Sequence, residues 1–290
     1  MRFFRRTKLS STKRARQLLN NKGYDELIEF LEKKHAEGEI SANTYYFMGK
    51  AWYFKGNEKK SLMLFNKALE LEPEDAKIYT AMGKAYYWMD EDNKAKEFFL
   101  KAINYDKSQA EAYIGVADVY ENAQEYSEAL DWAKKALKYD KDNHNIYNTL
   151  GSIYMRTEKY TDAAKVFQKA LKITNDVDFL YSNSCFVYMM LEEYDKSIEY
   201  GAKSIELNPQ NSSNYYYYGQ ANFNKGDFKS SVEAFEKALE LDADDKTYKE
   251  HLERAKEALQ NQITEAPDQY FDSSNTFPDK IIDNAWENGY

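Results

Sequence analysis

The sequence predicts an all-α protein built by repeating a pair of helices, and three observations carry that expectation. A small residue recurs every 34 positions, at Gly49, Gly83, Ala117, Gly151, Cys185 and Gly219. A tyrosine stands four positions before each of them: Tyr45, Tyr79, Tyr113, Tyr147, Tyr181 and Tyr215. Helix breakers are scarce, with 4 prolines and 11 glycines in 290 residues, and the alternation that marks strands is almost absent.

Each period divides into two helical stretches. In the first, a large residue follows the small one by three positions, at Trp52, Tyr86, Tyr120, Tyr154 and Tyr188, with Asn222 as the exception. A glycine inside a helix costs about 1 kcal/mol relative to alanine. Its recurrence therefore predicts a place where two helices cross too closely for a side chain. In the second stretch, small residues recur at Ser61, Ala95, Ala129, Ala163, Ser197 and Ser231, and again seven positions later, from Ala68 to Ala238. A ring stands between them in four units, at Phe65, Phe99, Phe167 and Phe235. The other two units have Ala133 and Gly201 there, with the bulk one place earlier at Trp132 and Tyr200. Gly201 fits either close approach of a partner on the outer side or drift with local repacking. Pro73 and Pro209 close two of the units, where a helix must stop. Helices of about 13 residues are marginal alone, so each must bury its apolar stripe on its neighbours, and the array is stable only as a stack.

This pattern resembles the tetratricopeptide repeat family over residues 42–245, as six consecutive units of 34 residues. The resemblance implies two antiparallel helices per unit, stacked into a right-handed α–α superhelix. Residues 8–41 read as a degenerate first repeat, with Tyr24 in the register of Tyr126, Tyr160, Tyr194 and Phe228, and with Leu27 and Leu31 at the small and aromatic positions. Residues 1–7 stand before it as a basic N-terminal arm. Residues 246–264 read as a C-terminal capping helix, striped by Tyr248, Leu252, Ala255 and Leu259. Residues 266–290, with Pro267 and Pro278 among Asp, Ser and Asn, read as an extended, acidic and aromatic tail.

Composition narrows the function classes. A hydrophobic content of 43% and a charged content of 31% fit a folded chain rather than a disordered one. The net charge of −9 is unevenly spread: residues 1–16 hold seven basic groups and no acidic one, whereas residues 265–290 hold six acidic groups and only Lys280. An acidic body argues against a broad nucleic-acid surface. The lone Cys185 excludes a disulfide framework within the chain, no apolar stretch follows the basic start, and no run approaches the roughly 20 apolar residues of a membrane span. A cytoplasmic location is the expectation.

The sequence shows no catalytic constellation. His35, His144 and His251 fall in different units without metal-ligand spacing, and there is no glycine-rich phosphate loop or nucleophile elbow. Cys185 occupies a small-residue slot and reads as a packing residue. Neither an enzyme nor a cofactor nor a small-molecule substrate is expected.

The family resemblance places a ligand groove on the concave face, along the first helix of each unit. It puts Tyr46, Lys50 and Tyr53 there in the first full unit, Lys84, Tyr87 and Trp88 in the next, and Asn148, Ser152 and Arg156 further on. Phe186, Tyr216 and Gln220 extend the set. Aromatic and methionine side chains suit protein-binding surfaces. Lys50 and Lys84, one repeat apart, suit an acidic or C-terminal segment of a partner. Some family members grip a C-terminal carboxylate with a Lys and an Asn at the fifth and ninth positions, and no unit here carries that pair. The tail residues Phe271, Phe277, Ile281 and Trp286 suggest a docking peptide, with Phe277 to Ile281 and Ile282 to Trp286 at helical spacing. The resulting expectation is a non-enzymatic scaffold or adaptor that binds a protein or peptide partner, within a larger complex. An RNA- or membrane-associated adaptor that uses the basic arm is the alternative, and oligomeric state stays open.

Overall fold

The structure, a computed structural model, describes residues 2–265, with side chains from Ser11 onward. Among the described residues there are fifteen helices and no strand. The chain divides into two compact units between Lys159 and Tyr160. The first holds α1 (Arg2–Asn20), α2 (Tyr24–Ala36), α3 (Ala42–Phe54), α4 (Glu58–Leu71), α5 (Ala76–Trp88), α6 (Asp92–Tyr105), α7 (Ala110–Asn122), α8 (Tyr126–Ala136) and α9 (His144–Arg156). The second holds α10 (Tyr160–Ile173), α11 (Asp178–Met190), α12 (Tyr194–Leu207), α13 (Ser212–Lys225), α14 (Phe228–Leu241) and α15 (Lys246–Glu265). Helix α1 runs through position 7/8, where the sequence separates a basic arm from a first repeat.

The starts and stops of the helices follow from local chemistry. Ser41 caps α3 by accepting from the Thr44 amide, Asn57 caps α4 through Lys60, Asp75 caps α5 through Lys77, and Asn143 caps α9 through Asn145. At the other end, one turn type recurs with the period of the sequence. Lys22, Gly56, Asp90, Gln124, Glu158, Glu192 and Gly226 all have left-handed backbones, with φ between 57° and 89°. In each turn the following amide donates to a carbonyl five residues back, as in Asn57 to Trp52 at 2.9 Å, Glu125 to Tyr120 at 2.9 Å and Glu193 to Tyr188 at 2.9 Å. This closure satisfies a carbonyl at the helix end and favours glycine at the left-handed site. Five of the seven sites carry a side chain instead. Gln124→Gly, Glu158→Gly and Glu192→Gly are each expected to stabilise the chain by about 0.5–1 kcal/mol. A rise in thermal midpoint that is additive across the three variants checks this.

Recurring tyrosines explain how each first helix is set on its predecessor. The Tyr79 hydroxyl donates to the Pro73 carbonyl at 3.0 Å, Tyr147 to Lys141 at 3.1 Å, and Tyr181 to Asn175 at 3.3 Å. Each bond ties the helix to the connection six residues upstream, while the ring packs on the second helix of its own repeat or on the residues that follow it. Tyr79 stacks on Tyr105 and Tyr113 on Tyr139, both at 5.2 Å.

The glycine positions are receptacles for rings. A Cβ on Gly83 would lie 2.6 Å from Phe99, one on Gly49 would lie 2.6 Å from Phe65, and one on Gly219 would lie 2.9 Å from Phe235. Gly115 takes the opposite side of Phe99, where a Cβ would lie 2.3 Å from Cζ, so this ring is held between α5 and α7. The repeats without glycine also lack the ring: Ala117 goes with Ala133, and Cys185 with Gly201. The displaced bulk finds other partners, Trp132 against Tyr113 at 5.9 Å and Tyr200 stacked on Tyr188 at 5.2 Å. Of the two readings of Gly201, local repacking is the one the structure supports. Gly201 is buried, and a Cβ there would lie 3.0 Å from Tyr218 and 3.1 Å from Cys185 Sγ, both of this chain. Cys185 is itself fully buried, and burial pushes its thiol up to about 12.

In the second unit α11, α12, α13, α14 and α15 pack in succession. Asp178 at the start of α11 accepts from Asn208 and Asn211, both at 3.1 Å, which ties it to the turn before α13. Helix α15 buries Tyr248, Leu252, Ala255 and Leu259, the last three in a cluster with Val232 and Phe235 of α14.

Candidate functional site

Within the first unit, α1, α3, α5, α7 and α9 adjoin one another in that order. Residues one repeat apart on these helices therefore share a face. Helices α3, α5 and α7 form a cleft of about 450 Å³ on it, lined by Tyr46, Lys50, Tyr53, Phe54, Lys77, Lys84 and Glu111 among others. Periodicity points only to first helices, so it misses Tyr139, Asp140 and Asn143, which reach the cleft from the α8–α9 connection.

The cleft is lined by aromatic rings and by charged side chains. Tyr46 and Tyr53 are half-buried, and burial raises both phenols, Tyr53 to about 12. Phe54 and Trp88 are exposed, at 48% and 68%. Trp88 and Asn122 each offset part of the rise that burial causes, Trp88 at Tyr53 and Asn122 at Tyr87. Lys84 Nζ pairs with Glu111 Oε2 at 2.7 Å, and the lysine holds that carboxyl below its ordinary range. Lys50 is half-buried, with its ammonium 5.8 Å from the Tyr46 ring centre and 5.9 Å from that of Phe54. Burial, and then the like charge of Lys84, lower its pKa.

Beyond Lys84 the face turns acidic. Asp118 accepts from Thr149 Oγ1 at 3.2 Å, and Glu121 accepts from Ser152 Oγ at 2.5 Å. Burial, reinforced by Glu121, pushes Asp118 up to about 7, and burial raises Glu121 as well. Arg156 is exposed, its Nε 3.9 Å from Glu121, and Asn148 is half-buried on α9. Two fifth-position hydroxyls are turned inward: Thr80 donates to the Ala76 carbonyl and Ser182 to that of Phe179.

The remaining expected groove residues lie in the second unit. Phe186 meets Tyr217 edge-on at 5.9 Å. Gln220 donates to the Tyr216 hydroxyl at 2.8 Å, and both approach His251 Nε2 of α15, at 3.3 Å and 3.5 Å. His251, which no periodic signal marks, thus completes a polar cluster beside a small cavity of about 70 Å³. The tail residues Phe271, Phe277, Ile281 and Trp286 lie outside the described residues.

Among the described residues there is no group of His, Cys, Asp and Glu that could hold a metal ion, and no helix long and apolar enough to cross a membrane. What the face offers is rings, amides and charged groups, which suit binding.

Comparisons with known proteins agree on the architecture. Residues 25–180 match the family described as the tetratricopeptide repeat protein 21 C-terminal ARM domain, and residues 212–245 match the tetratricopeptide repeat. No curated protein matches the chain. Among solved structures, Pseudomonas aeruginosa PilF is 18% identical, with 72% of this chain and 95% of that one covered, at a TM-score of 0.62. A tetratricopeptide repeat protein from Parabacteroides merdae is 15% identical, covering 85% of this chain and 97% of its own, at 0.60. YrrB, described as a tetratricopeptide repeat protein with an unusual peptide-binding site, is 25% identical, with 66% and 97% covered, at 0.50. The fold class is therefore the all-α superhelix of helix–turn–helix repeats, an architecture whose members are in general protein-interaction scaffolds and typically non-enzymatic. With more than half of its length matched, the chain belongs to the tetratricopeptide repeat family.

Proposed function

We propose that this protein is a non-enzymatic scaffold that binds an extended segment or helix of a partner protein along the α3–α5–α7–α9 face. The observation that carries the reading is Trp88, 68% exposed beside a cleft walled by Tyr46, Tyr53 and Phe54. Large exposed rings next to a concave, half-dry site are what interface hot spots are made of. Phe186, Tyr216 and Gln220 are proposed to extend the same role in the second unit. The peptide-binding neighbour YrrB supports binding of this kind at the level of the family.

Affinity capture with the intact chain, followed by titration of the recovered partner, tests the proposal. Trp88→Ala is expected to weaken that partner about 30-fold, the effect of losing a hot spot worth about 2 kcal/mol. Unchanged affinity in Trp88→Ala and in Tyr53→Ala would move the binding surface elsewhere. Nucleic acid in place of protein, released steeply as salt rises, would favour the basic stretch at residues 1–16.

A further inference from the structure

The charges of the α3–α5–α7 cleft do not balance. Three lysines line it, Lys50, Lys77 and Lys84, against two carboxylates, Glu111 and Asp140. Lys84 is matched by Glu111 at 2.7 Å. Lys50 faces the Tyr46 and Phe54 rings and closes no ion pair among the described residues; Glu111 acts on it only from a distance, its carboxylate being held by Lys84. A half-buried ammonium loses hydration that ring faces only partly replace. The surrounding rings also keep water away, which strengthens any opposite charge placed there.

We propose that this cleft reads an acidic side chain, Asp or Glu, in an extended segment of a partner protein, with Lys50 donating to its carboxylate. Glu111 acts as an internal competitor, holding Lys84 until the ligand carboxylate shares it. The inference rests on the α3–α5–α7 face being the binding surface, and adds the chemistry it selects. Charge complementarity sets the occupant: one carboxylate neutralises the cleft, whereas a basic segment would add to its excess. The aromatic walls add area for the residues on either side of the acid. Lys50 is thus a specificity-determining residue and Trp88 a general contact.

The test uses the intact chain, immobilised, and two octapeptide pools. One pool has Glu fixed at a central position and the other Gln, with all remaining positions drawn from uncharged residues. The Glu pool is expected to be retained about 10-fold more, the worth of one charge-assisted hydrogen bond. Lys50→Gln should equalise the pools, and Lys50→Arg should keep a preference, which separates loss of charge from loss of fold. Glu111→Gln should raise retention of the Glu pool about 3-fold by freeing Lys84. Equal retention by the unaltered protein, or a preference that survives Lys50→Gln, overturns the proposal. Reduced retention in Glu111→Gln overturns the competitor role. Equal retention that Trp88→Ala abolishes overturns acid selection while leaving the binding face standing, and no retention of either pool overturns both.

Discussion

Phe99→Ala is expected to lower stability by about 3–5 kcal/mol, among the largest effects available to a single substitution in this chain. The ring is 1% exposed and touches two helices at once, fitting against Gly83 of α5 and Gly115 of α7. Removing it leaves a cavity between first helices of adjacent repeats, which rigid helices close poorly. Gly83→Ala is expected to cost about 1–3 kcal/mol for the reverse reason, because its Cβ would enter the space of the ring. The decisive case is the double variant. Once Phe99 is alanine, the site of Gly83 is open, and Gly83→Ala becomes neutral or stabilising by up to about 1 kcal/mol through helix propensity. The repeats that pair Ala117 with Ala133, and Cys185 with Gly201, already show that arrangement. Urea unfolding of the four proteins gives the coupling energy directly. Hydrogen exchange at the α5, α6 and α7 amides would show whether the loss is local, as expected where each repeat meets only its neighbours. If Gly83→Ala costs the same in both backgrounds, the ring is not what excludes a side chain there.

This pairing shows how far the sequence is legible. The period, the helix pairs and the buried small residues are all visible in it, because each repeat meets the same packing problem and solves it with the same residue sizes. The glycine is readable as a close approach, but not what approaches: the structure places a phenylalanine ring there. The two deviating repeats look like drift when read singly. Read together they show compensation, since the ring is absent in just those repeats whose small residue is larger than glycine. The site is less legible. Lys50 and Lys84 both line the cleft, since residues one repeat apart share a register. The Lys84–Glu111 pair spans 27 residues and depends on rotamers, which a period does not encode. Tyr139 and Asp140 enter the cleft from a connection, where the pattern is silent. His251 reaches Tyr216 from beyond the last repeat.

Asp118→Asn is expected to stabilise the protein at pH 8 and to leave it nearly unchanged at pH 4. Asp118 is half-buried on α7 beside Glu121, and burial and that neighbouring charge hold its carboxyl near 7, against about 3.9 in an unfolded chain. Between those values the folded protein binds a proton that the unfolded chain does not. Stability therefore falls as pH rises through this window and is lowest once the folded group ionises. At about 1.36 kcal/mol per pKa unit the ceiling is about 4 kcal/mol, and water reaching the open side of the face brings the expected gain to about 1–2 kcal/mol. Asparagine keeps an acceptor for Thr149 and carries no charge, so it removes the penalty while preserving the contact. Glu121→Gln should act in the same direction, since burial raises that carboxyl too. Asp178 runs the opposite way. Burial opposes its charge, but the amides of Asn211, Asn208 and Asn214 outweigh this and lower its pKa, so its contribution is present above the unfolded value and is lost as pH falls through the folded one. Urea midpoints at pH 4, 6 and 8 for the unaltered protein and Asp118→Asn separate the two trends. A flat difference across pH would mean that Asp118 is ionised in the folded state throughout. A difference that grows from pH 4 to pH 8 would show that the proposed binding face retains a carboxylate at the expense of stability, as expected of a surface kept for a ligand rather than for the fold.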